Sequence, residues 1–332
     1  MTSEGEVVIE RDRQEAGAPP ASRLPLPALR GTLARNECMA RHVTWRAGGA
    51  VDLAYTPADL EDLQAFLRTR PAKERLYFVG LGSNLLVRDG GWRGTVVFTH
   101  RALSHLRLGE SIEACGDIIA DAGVAAPKLA RYAAMHDLVG AEFFAGIPGT
   151  VGGALAMNAG CYGGETWDAV VGVTTIDASG EVRRRSRTDY AVAYRSVASR
   201  HATREEWFIG AIFRFARGNG AASRALMKQF LQRRIASQPL GQPNAGSVFR
   251  NPPNDYAARL VEACGLKGRR IGGAAISDKH ANFIVNHGAA KAADIEALIA
   301  LARDTVRERF GVTLETEVRI IGEPMTAGSS ST

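Results

Sequence analysis

The sequence has no apolar run long enough to cross a bilayer, no CxxC pair and no His/Cys spacing that would clasp a metal ion. Its four cysteines, Cys38, Cys115, Cys161 and Cys264, stand far apart, so free thiols in a reducing compartment are expected rather than a disulfide framework. Aromatic residues are missing from Met1 to Arg30, a stretch of Glu, Arg, Ala and Pro that cannot bury enough surface to offset the entropy of ordering. Residues 1–32 are therefore read as a flexible tail, and 324–332 as a second one. An apolar signal region is missing there too, which points to a cytoplasmic protein with no membrane partner. Basic residues are in excess, giving a formal net charge of +6, but no basic run interleaved with aromatics marks a nucleic-acid surface. An anionic small molecule accounts for the excess as well. What remains is ordinary globular composition, 45% hydrophobic and 23% charged, in 332 residues that suffice for two or three domains. No internal repeat is present, and a monomer is expected.

Glycine, in contrast, is plentiful and clustered. The run Gly146-Ile147-Pro148-Gly149-Thr150-Val151-Gly152-Gly153 continues through Asn158 and Gly160 to Gly164 and is too apolar for a solvent linker. Glycines bring bare N–H groups close to a ligand and Pro148 stiffens the turn, so a buried anion such as a diphosphate fits. A tight loop followed by a small-residue helix on a sheet fits equally well. A second cluster, Gly80-Leu81-Gly82-Ser83-Asn84-Leu85, offers backbone N–H groups and two polar side chains to phosphate oxygens, or forms a plain β-turn. It is not the dinucleotide fingerprint Gly-x-Gly-x-x-Gly, because position 85 is leucine and no helix opens at the turn, so a nicotinamide-type Rossmann fold is disfavoured.

Periodicity orders the rest. Thr56, Pro57 and Asp59 predict a helix start, continued by Leu60, Leu63 and Leu67 on one face. Strands are expected at Leu76–Val79, Leu85–Val87, Thr95–Phe98, Ile118–Ala122 and Trp207–Phe215, with a hairpin from Val171 to Arg185 around Ala178-Ser179-Gly180. Helices are expected at Pro127–His136, Arg224–Ile235, Tyr256–Cys264 and Ala293–Phe310, the last burying Ile295, Leu298, Ile299, Ala302, Val306 and Phe310 and capped by Gly311. A strand is read at Ala281–Val285 and a closing one at Leu314–Ile321. The class is α+β, with antiparallel pairs rather than regular βαβ repetition.

The glycine loops, the Ala245-Gly246-Ser247-Val248-Phe249-Arg250-Asn251-Pro252 loop and the closing Leu314-Glu315-Thr316-Glu317-Val318-Arg319-Ile320-Ile321-Gly322 strand, in this order, resemble the UDP-N-acetylenolpyruvoylglucosamine reductases of bacterial peptidoglycan synthesis. The likeness runs from about Trp45 to Gly322. It implies a PCMH-type FAD-binding fold of two α/β subdomains, residues 33–100 and 101–218, followed by a smaller substrate-binding domain, 219–323. FAD would lie between the two subdomains, its diphosphate against Gly80–Asn84 and the Gly146–Gly153 loop. Arg46, Gly48, Gly49, Asn158 and the Gly272–Ile276 segment match further cofactor-side or site-lining motifs. NADPH would reduce FAD and leave, and the enolpyruvyl nucleotide sugar would then enter the same cleft.

The chemistry so implied places hydride on the methylene carbon of an enol ether, with negative charge growing on the adjacent carbon and its carboxylate. By family match Arg195, after Tyr194, supplies the cation, Ser247 delivers the proton, and Glu317 polarises or replenishes the intermediate. Asn251 and His280 match positions that touch the nucleotide sugar, with Tyr194 and Gln238 placed beside them. Taken singly, Ser247 would be a loop hydroxyl, Arg195 a surface guanidinium, Glu317 an exposed strand residue and His280 a satisfied loop histidine. Lys228, Arg233 and Arg234 either attract the UDP diphosphate or form a solvated helix face, and the face is favoured for two of the three. Gln238 stands where one branch of the family has a lysine before Leu-Pro, and the short interval from Arg195 to Ser247 leaves little room for that branch's inserted lobe, so the shorter type is expected. A PCMH-type FAD oxidase using oxygen and a non-catalytic nucleotide-sugar-binding regulator are the alternatives.

Overall fold

The structure, a computed structural model, describes residues 29–71, 73–201 and 204–325. The expected tails fall outside these residues except at their inner ends, and there the chain is ordered earlier than the composition suggests. Arg30 donates its backbone N–H to Asp62 at 2.7 Å, and Thr32 already opens a strand.

Five strands come first: β1 (Thr32–Cys38), β2 (Ala50–Thr56), β3 (Leu76–Val79), β4 (Leu85–Val87) and β5 (Trp92–Phe98). All but β4 join a sheet of order β1-β2-β5-β3, with β1 antiparallel to β2 and with β2 and β3 parallel to β5. Parallel pairing needs a crossover, and helix α1 (Leu60–Thr69) provides part of it. Its N-cap is Asp59, whose carboxylate accepts the Asp62 N–H at 2.9 Å, so the helix starts later than the expected Thr56–Pro57 signal. Leu63, Phe66 and Leu67 of α1 bury against Tyr55, Val97, Ile176 and Ile209, which joins the first sheet to the second.

The second sheet is antiparallel and runs Val182–Ser186, Val170–Asp177, Glu206–Arg217, β7 (Cys115–Asp121), β6 (Leu106–Ser111). The expected hairpin is its outer pair. Helices α2 (Ala126–Met135) and α3 (Val151–Met157) cover it over a core of Leu129, Phe144, Leu155, Trp167 and Phe213. A further hairpin, Tyr190–Ala193 with Ser196–Ser199, carries Tyr194 and Arg195 at its turn and has no counterpart in the sequence reading. Helix α4 (Gly220–Ser237) belongs here as well, and not to the third unit that it was expected to open. Its small residues explain this: Gly220 and Ser223 are buried against α2 and the Glu142–Gly146 turn, while Leu226, Leu231 and Ile235 are exposed.

The third unit has α5 (Ala257–Ala263), short antiparallel strands at Ala274–Ile276 and Ile284–Asn286, and α6 (Ala292–Phe310). Helix α6 buries Ile295, Leu298, Ile299, Ala302 and Val306 as its periodicity predicts, and Gly311 caps it at φ +69°. Phe310 departs from that reading: it is exposed, because it is the last helical residue and projects past the core.

Two connections bind this unit to the first. The indole of fully buried Trp45 donates to Ile284 O at 2.7 Å, and the Asn286 amide donates back to Trp45 O at 2.8 Å. Asp89, next to β4, accepts the first N–H groups of α6, from Ala292 and Ala293, at 2.9 Å each. The closing strand is shorter than expected, Arg319–Ile321, and lies parallel to β4 with Arg319 opposite Leu85. Truncating Trp45 therefore removes a buried ring and leaves Ile284 O unpaired. Trp45→Ala is expected to lower the unfolding free energy by about 3–5 kcal/mol, measured by urea denaturation, whereas a loss under about 1 kcal/mol would contradict this account of the joint.

Candidate active site

The loop after β3 turns back at Gly80–Asn84, where Gly82 adopts φ +61° and any Cβ would collide with the backbone of His42 and Val43. A side chain at Gly80 would collide with Thr150, and one at Gly149 would come within 3.2 Å of Ser83 Oγ, so the two glycine-rich loops face each other closely. The N–H groups of Leu81, Gly82, Ser83 and Asn84 have no acceptor among the described residues. Such a row of free donors beside a cavity is the arrangement that binds phosphate oxygens. In the second loop the amides of Val151 and Gly152 are already taken, by Val124 O and Ala122 O at 2.8 Å each. That loop contributes to the site through other atoms.

Between the loops lies a cavity of about 690 Å³, within the range of small-molecule sites. Tyr77, Phe78, Trp207 and Met157 give it an apolar end, and Arg195, Ser247 and Glu317 stand on its wall as well. The lining thus combines apolar rings, polar side chains and the free amides. An extended ligand with a ring system and a diphosphate fits these residues.

Arg195 reaches the site from the turn of its hairpin, in the left-handed region at φ +52°. Its Nε donates to Glu317 Oε1 at 2.9 Å, Nη1 to Asn158 O at 3.3 Å and Nη2 to Gly160 O at 2.9 Å. The guanidinium is therefore clamped between the closing segment and the glycine-rich stretch. Arg250 donates to Arg195 O at 3.2 Å and steadies the turn from behind. Glu317 precedes the closing strand: its N–H donates to Val248 O at 2.8 Å, and its carbonyl accepts from the Asn84 side chain at 3.1 Å. Burial pushes the Glu317 carboxyl above its ordinary value, while the Arg195 and Arg250 guanidiniums oppose that rise.

Ser247 follows Gly246 (φ +75°) and is half-buried, with no hydrogen-bond partner for its hydroxyl among the described residues. Its position is set by its neighbours: Val248 N–H donates to Asn282 O at 2.9 Å, and the Asn282 side chain exchanges two bonds with the Phe249 backbone at 2.9 Å each. The hydroxyl is held at the cavity but left free.

Most of the residues singled out in the sequence meet here. Gly80, Leu81, Gly82, Ser83, Asn84, Leu85, Gly146, Ile147, Pro148, Gly149, Gly153, Gly160, Gln238, Arg195, Ser247 and Glu317 line the cavity. Others stand behind the wall. Val151 is fully buried, Gly152 abuts Ala122, and Gly48 and Gly49 let the chain pass close to Val87 and Asp89. Asn158, 1% exposed, ties Glu165, Ala193 O and the Trp167 N–H together beneath Arg195. Tyr194 lies beside the cavity with its ring 4.9 Å from the Arg195 guanidinium carbon. Asn251 accepts the Ala257 N–H at 3.1 Å at the start of α5, and His280 packs edge-on against Phe283 at 4.7 Å; neither lines a cavity described here. Arg46 opens onto a neighbouring cavity. Of the three basic residues on α4, Arg233 and Arg234 line the main cavity and Lys228 does not, one more than the face reading allowed.

Several wall residues went unnoticed. Thr150, inside the glycine run, was open to notice, whereas Trp207 and Arg319 read only as strand residues. Cys161 also lines the cavity, its thiol pushed up to about 11 by burial and donating to Phe143 O at 3.0 Å, so it is a packed and unreactive group. Among the described residues no cluster of three or more His, Cys, Asp or Glu could hold a metal, and no helix is long and apolar enough to cross a membrane.

Comparison with known proteins agrees with this geometry. Residues 51–186 match the model of an FAD binding domain, and residues 238–321 that of the UDP-N-acetylenolpyruvoylglucosamine reductase C-terminal domain. The chain is 57% identical to the UDP-N-acetylenolpyruvoylglucosamine reductase of Thiobacillus denitrificans over 90% of this chain and 94% of that one. It is 54% identical to the enzyme of that name from Nitrosospira multiformis, over 91% and 92%. The crystal structure of the corresponding reductase from Thermus caldophilus superposes with a TM-score of 0.73 at 29% identity, covering 88% of this chain and 98% of that one. Fold, cavity and sequence lead to one conclusion: the chain belongs to the UDP-N-acetylenolpyruvoylglucosamine reductase family.

Proposed function

We propose that the protein reduces the enolpyruvyl group of UDP-N-acetyl-3-O-(1-carboxyvinyl)-glucosamine to give UDP-N-acetylmuramate for peptidoglycan synthesis, with FAD as cofactor and NADPH as reductant. The observation that carries the mechanism is the convergence of Arg195, Ser247 and Glu317, from distant parts of the chain, on one cavity beside a row of free backbone amides. Leu81–Asn84 would hold the FAD diphosphate through those amides, and Tyr77, Phe78 and Trp207 offer apolar surface to its rings. When bound, FAD supplies the hydride that the methylene carbon of the enol ether accepts.

Negative charge then develops on the carbon bearing the carboxylate. Arg195 meets it with a guanidinium already oriented by three acceptors, so little reorganisation is needed as the charge appears. Its remaining N–H groups are available to the substrate carboxylate. Ser247 presents a hydroxyl with no competing partner and gives its proton to that carbon. Glu317, buried and bonded to Arg195, fixes the direction of the fork; its raised carboxyl also retains a proton at higher pH than a solvated glutamate would, which suits it to restore the serine hydroxyl. A short interval of strands and α4 between Arg195 and Ser247 agrees with the compact type of the family.

Ser247→Ala should leave reduction of the holoenzyme by NADPH within about twofold of wild type and slow reoxidation by the enolpyruvyl nucleotide sugar by about 100-fold or more, read by anaerobic stopped-flow absorbance. Equal losses in both half-reactions would overturn the proton-donor role. The raised Glu317 carboxyl has a second consequence. Its contribution to stability is complete below about pH 4 and is lost as the pH rises through its folded-state value. Glu317→Gln is therefore expected to gain stability relative to wild type as the pH rises above about 4 in parallel urea denaturations. A difference that stays flat, or moves the other way, contradicts the buried carboxyl.

A further inference from the structure

Arg250 follows Ser247 by three residues and lines neither the main cavity nor its neighbour. Its backbone N–H donates to Glu315 O at 2.9 Å and Phe249 forms a bridge with Thr316, so the loop carrying Ser247 lies against the segment carrying Glu317. From this joint the side chain crosses to the third group, its Nη2 donating to Arg195 O at 3.2 Å. Stability does not account for the guanidinium. Among the described residues its one ion pair is with Glu315 at 3.7 Å, a carboxylate 74% exposed, and a pair so open to water contributes little. Its Nε N–H is buried with no hydrogen-bond partner, which costs stability. What it secures is Arg195, the left-handed residue of a two-residue turn between Ala193 and Ser196. Glycine or asparagine usually takes such a place, and another residue keeps it only where the surroundings enforce it.

We propose that Arg250 is a positioning residue of the reduction step: it holds the Arg195 turn in its left-handed conformation, so that the Arg195 guanidinium stays aimed at the developing charge. The inference rests on the reductase reading above. The same side chain adds positive charge to the surroundings of Glu317. Arg195 from the hairpin and Arg250 from the serine loop are the charged groups that act on that carboxyl, and both oppose the rise that burial causes; the Gly80–Asn84 loop brings only the neutral Asn84 amide, bonded to the Glu317 carbonyl. Since one N–H serves Arg195 O and Nε serves nothing, Arg250 acts as a point charge with a single donor, which lysine also supplies.

FAD-loaded variants are compared with wild type by anaerobic stopped-flow absorbance. Arg250→Met should be reduced by NADPH within about twofold of the wild-type rate, while its reoxidation by the enolpyruvyl nucleotide sugar slows about tenfold or more. Arg250→Lys should recover to within about threefold, and Glu315→Gln, which removes only the exposed ion pair, should match wild type in both half-reactions. Equal losses in both half-reactions, no rescue by lysine, a loss of the same size in Glu315→Gln, or an Arg250→Met variant like wild type would each overturn the proposal. Wild-type holoenzyme that the sugar does not reoxidise refutes the reductase reading instead, and urea denaturation then reads the contact without turnover. Without Arg250 the Glu317 carboxyl rises further, so Arg250→Met should fall further behind wild type as the pH rises above about 4. That drift should vanish when both proteins carry Glu317→Gln. A gap independent of pH, or a drift that survives Glu317→Gln, contradicts the placement of Arg250 in this cluster.

Discussion

The pairing of Arg319–Ile321 with β4 is the constraint on which the site depends. It returns the end of the chain to the first unit, after both the second sheet and the third unit have been built. Arg319 N–H bonds to Asn84 O at 2.9 Å, and the Asn84 side chain holds Glu317 O, so the register of this short strand sets Glu317 beside the Gly80–Asn84 loop. From that position Glu317 captures Arg195, 122 residues away, and Val248 O accepts the Glu317 N–H, which brings Ser247 alongside. Each of these bonds contributes only about 0.5–1.5 kcal/mol net. Together they fix three side chains from distant parts of the chain in one arrangement.

The Arg195–Glu317 pair shows why the surroundings matter. Both side chains are largely buried, 15% and 18% exposed, and desolvation of such a pair offsets much of its attraction. The pair is kept because its partners are complete: Asn158 O and Gly160 O take the other guanidinium donors. Asn158, itself buried and left-handed at φ +41°, is thus part of what aims Arg195. Its backbone carbonyl orients Arg195, beside the cofactor-side role that the family likeness implies for it.

Local chemistry was legible where the signal was local. The apolar periodicity of α6 and its Gly311 cap, the hairpin around Ala178–Gly180 and the apolar strand ending near Phe215 stand where their patterns put them. The glycine loops and Ser247 were visible as motifs, and their meeting followed from the family likeness rather than from any spacing. What stayed hidden was long-range. Nothing local tells that α4 packs backward on α2, that Trp45 belongs to the core of the third unit, or that a two-residue turn holds Arg195 at φ +52°. Gly48, Gly49 and Gly152, cofactor-side glycines by the family likeness, also serve close passage of backbone, a use that only the neighbouring chain reveals.

In the proposed function one cavity both carries FAD and presents its reducing equivalents to an enolpyruvyl nucleotide sugar. The direct measurement is an anaerobic titration of NADPH-bleached holoenzyme with that sugar, followed by flavin absorbance. Recovery of the oxidised spectrum in proportion to substrate, complete at one equivalent, is the predicted result; a flavin that stays bleached until air is admitted would contradict it.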